Sequence, residues 1–437
     1  MRILMASDFY PPFIGGAERQ MQLLGQELAL AGHELDMATV WHAGLAEQQD
    51  DRGVRVYRLK GVFTAVPWFS SDPRRRFHPP FPDPGIAWGL RQLIARRRPD
   101  VVHASGWIAH SCAAALLGRS TPLVVSVRDP GYICATRALV HDGQICAGPA
   151  PRKCLACATH HFGTPKGLAA VGGVAAGHVL LKRKLSAAAS VSSYVDRTIQ
   201  RDFLGARGRA AGKLGLVIAD IAMPSGAAPN QDAPDDPILA ALPAQPFVLF
   251  VGALRPAKGL DLLLEAYRQL HAPPPLVLIG TIWPDTPREL PPGTVLLADV
   301  PHRSVMAAWR RCLFGVAPSI LPESLAGVVR EGMISGKAMI ATDVGGTTDM
   351  IDHEATGLLV APDDAGALAA AMRRLIDDAA LREQLGRAGQ ASAAQFTGHT
   401  IATQFEQLYR HLIEPGVEIA NCRLQIADWN SSQRRNL

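Results

Sequence analysis

The stretch 312–364 constrains the fold more than any other part of the chain, because short apolar runs alternate in it with turn residues and one helical pattern. Residues 313–317 are apolar and stop at Pro318-Ser319, as a buried strand does on meeting a residue with no amide hydrogen to donate. From Pro322-Glu323-Ser324 onward, Leu325, Val328, Val329 and Met333 recur at helical spacing. This predicts Glu323 at the loop tip and first turn, with Glu331 eight residues further along the helix. Residues 338–341 form a second strand, which ends in the glycine turn Asp343-Val344-Gly345-Gly346. Strand, helix and strand in this order put two carboxylates and several free amides at the carboxyl edge of a parallel sheet, where open α/β sheets bind ligands.

The alternation extends along the chain. Runs at 2–6, 34–40, 54–59, 101–103 and 123–127 read as strands, and 86–98 and 109–117 as helices, which describes a doubly wound parallel domain. Residues 188–194 and 215–221 read as its last strands, giving a first domain over 1–221. From 222 to 245 the composition turns to Pro, Ala, Gly and Asp, as in a linker. A second domain over 246–395 restarts with a strand at 247–251, a helix at 260–270 and strands at 276–280 and 295–300. Helices at 367–376 and 380–395 follow, then a last helix at 396–413 and a tail over 414–437.

At 437 residues and 48% hydrophobic content the chain has room for two domains of ordinary size. Its longest uncharged apolar stretch, 167–181, is glycine-broken and short of the roughly 18 residues a membrane span needs. The amino terminus has too short an apolar run for a signal peptide, so a cytoplasmic protein is expected. Net charge is +5, with clusters at Arg74-Arg75-Arg76, Arg96-Arg97-Arg98 and Lys182-Arg183-Lys184. Such clusters can meet phosphates, including those of a membrane's inner face, although Arg96–Arg98 also suit a helix carboxyl end. No aromatic residues interleave with them, so nucleic acid is not an expected partner.

Two further features carry chemistry. Gly15-Gly16 precede a helical pattern and leave amides free beside its positive end, which favours an anion. Cys134, Cys146, Cys154 and Cys157, in a loop over 130–165, are spaced C-x11-C-x7-C-x2-C with His141, His160 and His161 nearby. Four thiolates suffice for a structural zinc; free thiols and a redox role are the alternatives. Cys112, Cys312 and Cys422 read as small apolar residues.

Pro318-Ser319, Glu323-Ser324-Leu325, Gly327, Glu331 and Gly336-Lys337, followed by a strand and Gly345-Gly346, resemble the donor-site signature of retaining GT-B glycosyltransferases of family 4. The resemblance implies two Rossmann-like domains with a cleft between them, and 396–413 as a helix crossing back to the first. It implies a nucleotide diphosphate sugar as donor, UDP being the expected nucleotide, and a glycan, lipid-linked molecule or small metabolite as acceptor. By the same resemblance Glu331 holds ribose hydroxyls, Glu323 the donor sugar, and Lys258 the diphosphate. The usual arginine position is Ala253, with Arg255 two residues on as the substitute. Val300 borders the nucleotide base, Gly15 and Gly16 the donor phosphate. His103 stands where relatives place a histidine beside the sugar, but Ser105 replaces their second one. Asp-x-Asp is absent, so no catalytic metal or other cofactor is implied. A nucleotide-sugar epimerase, a phosphorylase, and a non-catalytic sugar-nucleotide-binding protein of the same fold are the rival readings.

Overall fold

The computed structural model of the chain describes residues 1–13, 15–66, 76–205, 214–222 and 237–414. Arg74, Arg75, most of 222–245, and the tail beyond Glu414 with Cys422 lie outside the described residues. The chain divides into two units, Met1–Ile221 with Gly398–Leu437, and Ala222–Thr397.

The first unit begins with β1 (Arg2–Ser7), α1 (Gly16–Leu30), β2 (Glu34–Val40), β3 (Gln48–Asp51), β4 (Val54–Leu59), α2 (Pro84–Arg97), β5 (Val101–Ser105), α3 (Ile108–Ala115) and β6 (Leu123–Val127). A hairpin follows, β7 (Val140–His141) and β8 (Gln144–Ile145), then α4 (Pro151–Phe162), α5 (Thr164–Lys184), β9 (Leu185–Ser190), α6 (Ser193–Ile199) and β10 (Leu214–Val217). Eight strands form one sheet in the order β10-β9-β6-β5-β1-β2-β4-β3, parallel throughout except for β3. Central strands β5 and β6 are buried along their whole length, which is why they read as unbroken apolar runs.

The second unit holds α7 (Pro237–Ala240), β11 (Val248–Val251), α8 (Leu260–Arg268), β12 (Leu276–Gly280), β13 (Thr294–Ala298), α9 (His302–Arg311), β14 (Phe314–Ala317), α10 (Gly327–Ile334), β15 (Ala338–Thr342), β16 (Leu358–Val360), α11 (Ala365–Asp377) and α12 (Ala379–Ser392). Its six strands are all parallel, in the order β13-β12-β11-β14-β15-β16. The last helix, α13 (Gly398–Ile413), belongs to the first unit.

Local chemistry sets the boundaries. Asp83 accepts from the amides of Gly85 and Ile86 at 2.9 and 3.2 Å and caps α2, whose first residue is Pro84. At its other end Arg97 pairs with Asp36 at 2.9 Å. The strand expected at 188–194 starts earlier and stops at Ser190, because the Ser192 hydroxyl accepts from the Val195 amide and opens α6 instead. The apolar stretch 167–181 is the body of α5, where a Cβ at Gly167 would overlap the Thr159 backbone of α4. Glycine there lets two helices close on each other. No described helix is long and apolar enough to cross a membrane.

Candidate functional site

In each unit the sheet reverses its direction of growth beside one strand, and ligands of open α/β sheets bind at that switch. In the second unit the strand is β11, with β12 on one side and β14 on the other. Glycines draw the loops there together. Gly259 has φ of 72°, and a Cβ on it would overlap the Pro318 carbonyl oxygen; one on Gly280 would overlap the Gly252 carbonyl oxygen.

Lys258 closes the short turn Pro256–Lys258 after β11, and its Nζ lies 2.8 Å from Glu323 Oε2. The Ser319 hydroxyl donates to Glu323 Oε1, and the Gly346 amide donates to the Glu323 carbonyl at 2.8 Å. The Thr342 hydroxyl donates to the Ser319 carbonyl at 2.5 Å. Loops after β11, β14 and β15 thus converge on one carboxylate and one ammonium. Glu323 is not in the first turn of a helix: α10 starts at Gly327, and Ser324, Leu325 and extended Ala326 precede it. The bond from Gly346 takes the Glu323 carbonyl that a helix would have used.

Glu331 lies on α10. Trp309 Nε1, on a fully buried ring, donates to its Oε2 at 3.3 Å, while Oε1 meets His302 Nε2 at 3.0 Å, on a side chain 71% exposed. One oxygen is anchored and the other faces an open neighbour. Arg255 pairs with Asp285 at 3.2 Å and stacks over Trp283 at 4.5 Å. Val300 is partly buried between β13 and α9.

In the first unit the switch lies between β1 and β5. Gly15 is the extended residue before α1, whose start has no side-chain cap, and there is open space around the Cα of Gly16. His103 has no exposed surface; its Nδ1 pairs with Tyr409 Oη at 2.6 Å and its Nε2 with Ser126 Oγ at 2.8 Å. Burial, then Arg128, pulls its pKa down to about 3. Both ring nitrogens of His103 are thus engaged beneath α13. Sequence reading gave no role to Asp8, which follows β1 and accepts from the amides of Trp107 and Ile108 at 3.0 and 2.7 Å. Burial pushes its carboxyl up to about 6, against the pull of Arg137 and those two amides. With Trp107, Arg128 and Asp129 it lines a small recess at the ends of β1, β5 and β6; the signal was their place directly after predicted strands.

The four clustered cysteines are a correction. Among the described residues no group of three or more His, Cys, Asp or Glu side chains is placed to hold a metal ion. Cys154 and Cys157 lie on α4, and the sulfurs are taken up locally: Cys134 beside the Thr136 hydroxyl at 3.3 Å, Cys146 on the Gly148 carbonyl at 3.4 Å, Cys154 on the Ala150 amide at 3.3 Å. Burial first, then the neighbouring thiols of Cys134, Cys154 and Cys146, push the Cys157 thiol up. The thiols share a neighbourhood without forming a ligand set.

Residues 235–392 match the family "Glycosyl transferases group 1", and residues 14–144 match "Glycosyltransferase Family 4". The chain is 26% identical over 439 residues to the glycogen synthase of Mycobacterium tuberculosis, covering 94% of each. It shares its fold with sucrose-phosphate synthase from Thermosynechococcus elongatus, at a TM-score of 0.66 and 21% identity over 94% of this chain and 99% of that one. It likewise resembles Anabaena Alr3699/HepE, solved in complex with UDP, at a TM-score of 0.62 and 19% identity over 93% and 99% of the two chains. Two family matches, one in each unit, a full-length relative and the shared fold identify the chain as a GT-B glycosyltransferase of the family 4 type.

Proposed function

We propose that the chain moves a sugar from a UDP-sugar to an acceptor oxygen with retention of anomeric configuration. The observation that carries this reading is the pairing of Lys258 with Glu323 at the β11–β14 switch, held by Ser319 and Gly346. UDP as the nucleotide follows the ligand of the HepE structure.

In the proposed step the bond from the anomeric carbon to the diphosphate breaks and its electron pair leaves with the diphosphate. The acceptor oxygen bonds to the same face of that carbon, and its proton passes to a leaving phosphate oxygen. Negative charge grows on the diphosphate as the bond breaks, so an ammonium already fixed in place stabilises the transition state more than the ground state. Lys258 supplies that charge, and Glu323 both orients it and accepts from hydroxyls of the sugar. Glu331 accepts from the ribose hydroxyls through Oε1, beside the exposed His302 ring, while Trp309 keeps the carboxylate from turning. Val300 borders the base, Ser324, Leu325 and Gly327 shape the loop before α10, and Gly15 and Gly16 offer amides to a phosphate. Arg255, held by Asp285 and Trp283, is a reserve cation.

A screen of UDP-, GDP- and ADP-sugars for thermal stabilisation tests the donor, followed by nuclear magnetic resonance of any product. Preferential stabilisation by a UDP-sugar and a product keeping the donor's anomeric configuration are expected. Preference for GDP or ADP overturns the nucleotide, an inverted product the stereochemistry, and an isomerised donor without transfer the transferase step.

A further inference from the structure

The loop after β12 is sewn to the loop that carries Lys258. Parallel pairing between β11 and β12 runs on past both strands. The Gly252 amide donates to the Ile279 carbonyl at 2.9 Å, the Leu254 amide donates to the Thr281 carbonyl at 3.0 Å, and Leu254 lies opposite Ile282. The Thr286 hydroxyl closes this seam, accepting from the Trp283 amide at 2.8 Å and donating to the Leu254 carbonyl at 2.5 Å. Its own amide donates to the Trp283 carbonyl at 3.0 Å, which folds 283–286 into a turn.

Arg255 is where the seam meets the turn Pro256–Lys258. Its carbonyl accepts from the amides of Lys258 and Leu260 at 3.0 and 3.4 Å, so both that turn and the first residue of α8 hang on its backbone. Its side chain is held by the other loop. The guanidinium stacks over Trp283 at 4.5 Å, and its Nε and Nη2 both donate to Asp285 Oδ2 at 3.2 Å. A planar guanidinium suits both contacts at once, which an ammonium does not. Trp283 is 43% exposed, so its ring gives the fold limited burial while giving Arg255 a flat face. An exposed stack or ion pair shifts a local equilibrium by only roughly two- to fivefold. In a three-residue turn with none of its residues buried, contacts of that size decide how long the shape persists.

We infer that Trp283, Asp285 and Thr286 are positioning residues: through Arg255 and Leu254 they brace the turn that holds Lys258, and so set where its ammonium stands before a donor arrives. The use of Lys258 in the reaction rests on the transferase reading above; the brace does not.

Hydrogen exchange of the purified full chain, followed by mass spectrometry without any ligand, tests the brace. In Trp283→Ala, Asp285→Ala and Thr286→Val, exchange over 253–260 should quicken by roughly two- to fivefold, while 314–334 stays as in the wild type. Trp283→Phe, which keeps a ring face for the guanidinium, should lie close to the wild type. Unchanged exchange over 253–260, or a rise spread evenly over the second unit, overturns the inference. Nucleotide release is then measured from UDP-glucose, or from whichever of the UDP-, GDP- and ADP-sugars the screen above selects. Trp283→Ala should lower kcat by up to about fivefold, the worth of one exposed stack, with little change in the donor KM. In a Lys258→Ala background the same substitution should cost nothing further, because the group it places is gone. An equal loss in both backgrounds means that Trp283 acts through general stability and overturns the positioning role, as does full kcat in Trp283→Ala beside an impaired Lys258→Ala. Quickened exchange with full turnover in Lys258→Ala, or with no release from any of the three donors, sinks the role given to Lys258 and leaves the brace standing.

Discussion

Lys258 Nζ and Glu323 Oε2 stand 2.8 Å apart, joining the loop after β11 to the loop after β14 by one ion pair. Its two side chains are 37% and 21% exposed, so solvent screens it and its worth to folding is small. Its worth lies in placement. An ammonium held by a carboxylate that is itself bonded to Ser319 has little freedom to lose when a diphosphate arrives.

Lys258→Ala should therefore lower turnover by about a hundredfold or more, the usual effect of removing one preorganised charge. The melting temperature of the unliganded protein should stay nearly constant. Arg255→Ala should cost much less, because Asp285 and Trp283 already engage that guanidinium. Steady-state kinetics with a saturating donor decide this, and full turnover in Lys258→Ala refutes the role.

Glu331→Ala should weaken nucleotide-sugar binding by roughly tenfold to a hundredfold, as expected for lost hydrogen bonds to a charged group. Trp309→Phe removes the anchoring N–H but keeps the packing, and should give a smaller loss in the same direction. Calorimetric titration of donor into each variant is the check; unaltered affinity in Glu331→Ala moves the ribose site elsewhere.

Gly259→Ala should destabilise by about 2 kcal/mol or more, since the residue must hold a positive φ and its methyl would overlap Pro318. Gly16→Ala should be nearly silent in stability, with open space around that position. Thermal unfolding of the two variants side by side tests the contrast.

Acid should unfold the protein through its histidines. Burial pulls His103 and His110 down to about 3 and His78 to about 4, so between those values and the ordinary pKa near 6.5 the unfolded chain binds more protons than the folded one. Stability is then complete above about pH 6.5 and falls as pH drops below it. Asp8 works oppositely: raised to about 6, it binds its proton more readily when folded and offsets part of the loss between its ordinary pKa near 4 and 6. Melting temperatures measured from pH 7 down to 4 should decline. His103→Gln should flatten the decline while lowering stability at pH 7, because Ser126 and Tyr409 lose a fitted partner. A profile unchanged by His103→Gln would contradict this account.

Much of this architecture was legible because parallel strands are buried on both faces. β2, β4, β6 and β12 begin and end where their apolar runs do. What escaped the sequence depends on partners distant along the chain. β3, Gln48-Gln49-Asp50-Asp51, has no apolar pattern and is a strand only because it pairs with β4. Helical spacing began early at 322, since it cannot register that Gly346 takes the Glu323 carbonyl. Cysteine spacing pointed to a metal because spacing is blind to where each sulfur turns. The burial of His103 under Tyr409 joins positions 306 apart, beyond the reach of any local pattern.

The reversed strand β3 bears on how the protein behaves when crowded. A parallel sheet that ended at β4 would present a row of unpaired amides and carbonyls to any passing extended segment. β3 covers that row and offers its own outer edge instead, two glutamines followed by Asp50 and Asp51, with Asp51 tied back by Tyr10 at 2.7 Å and Gln22 at 2.8 Å. A second chain adding itself there would have to strip water from carboxylates, so this border resists runaway strand addition.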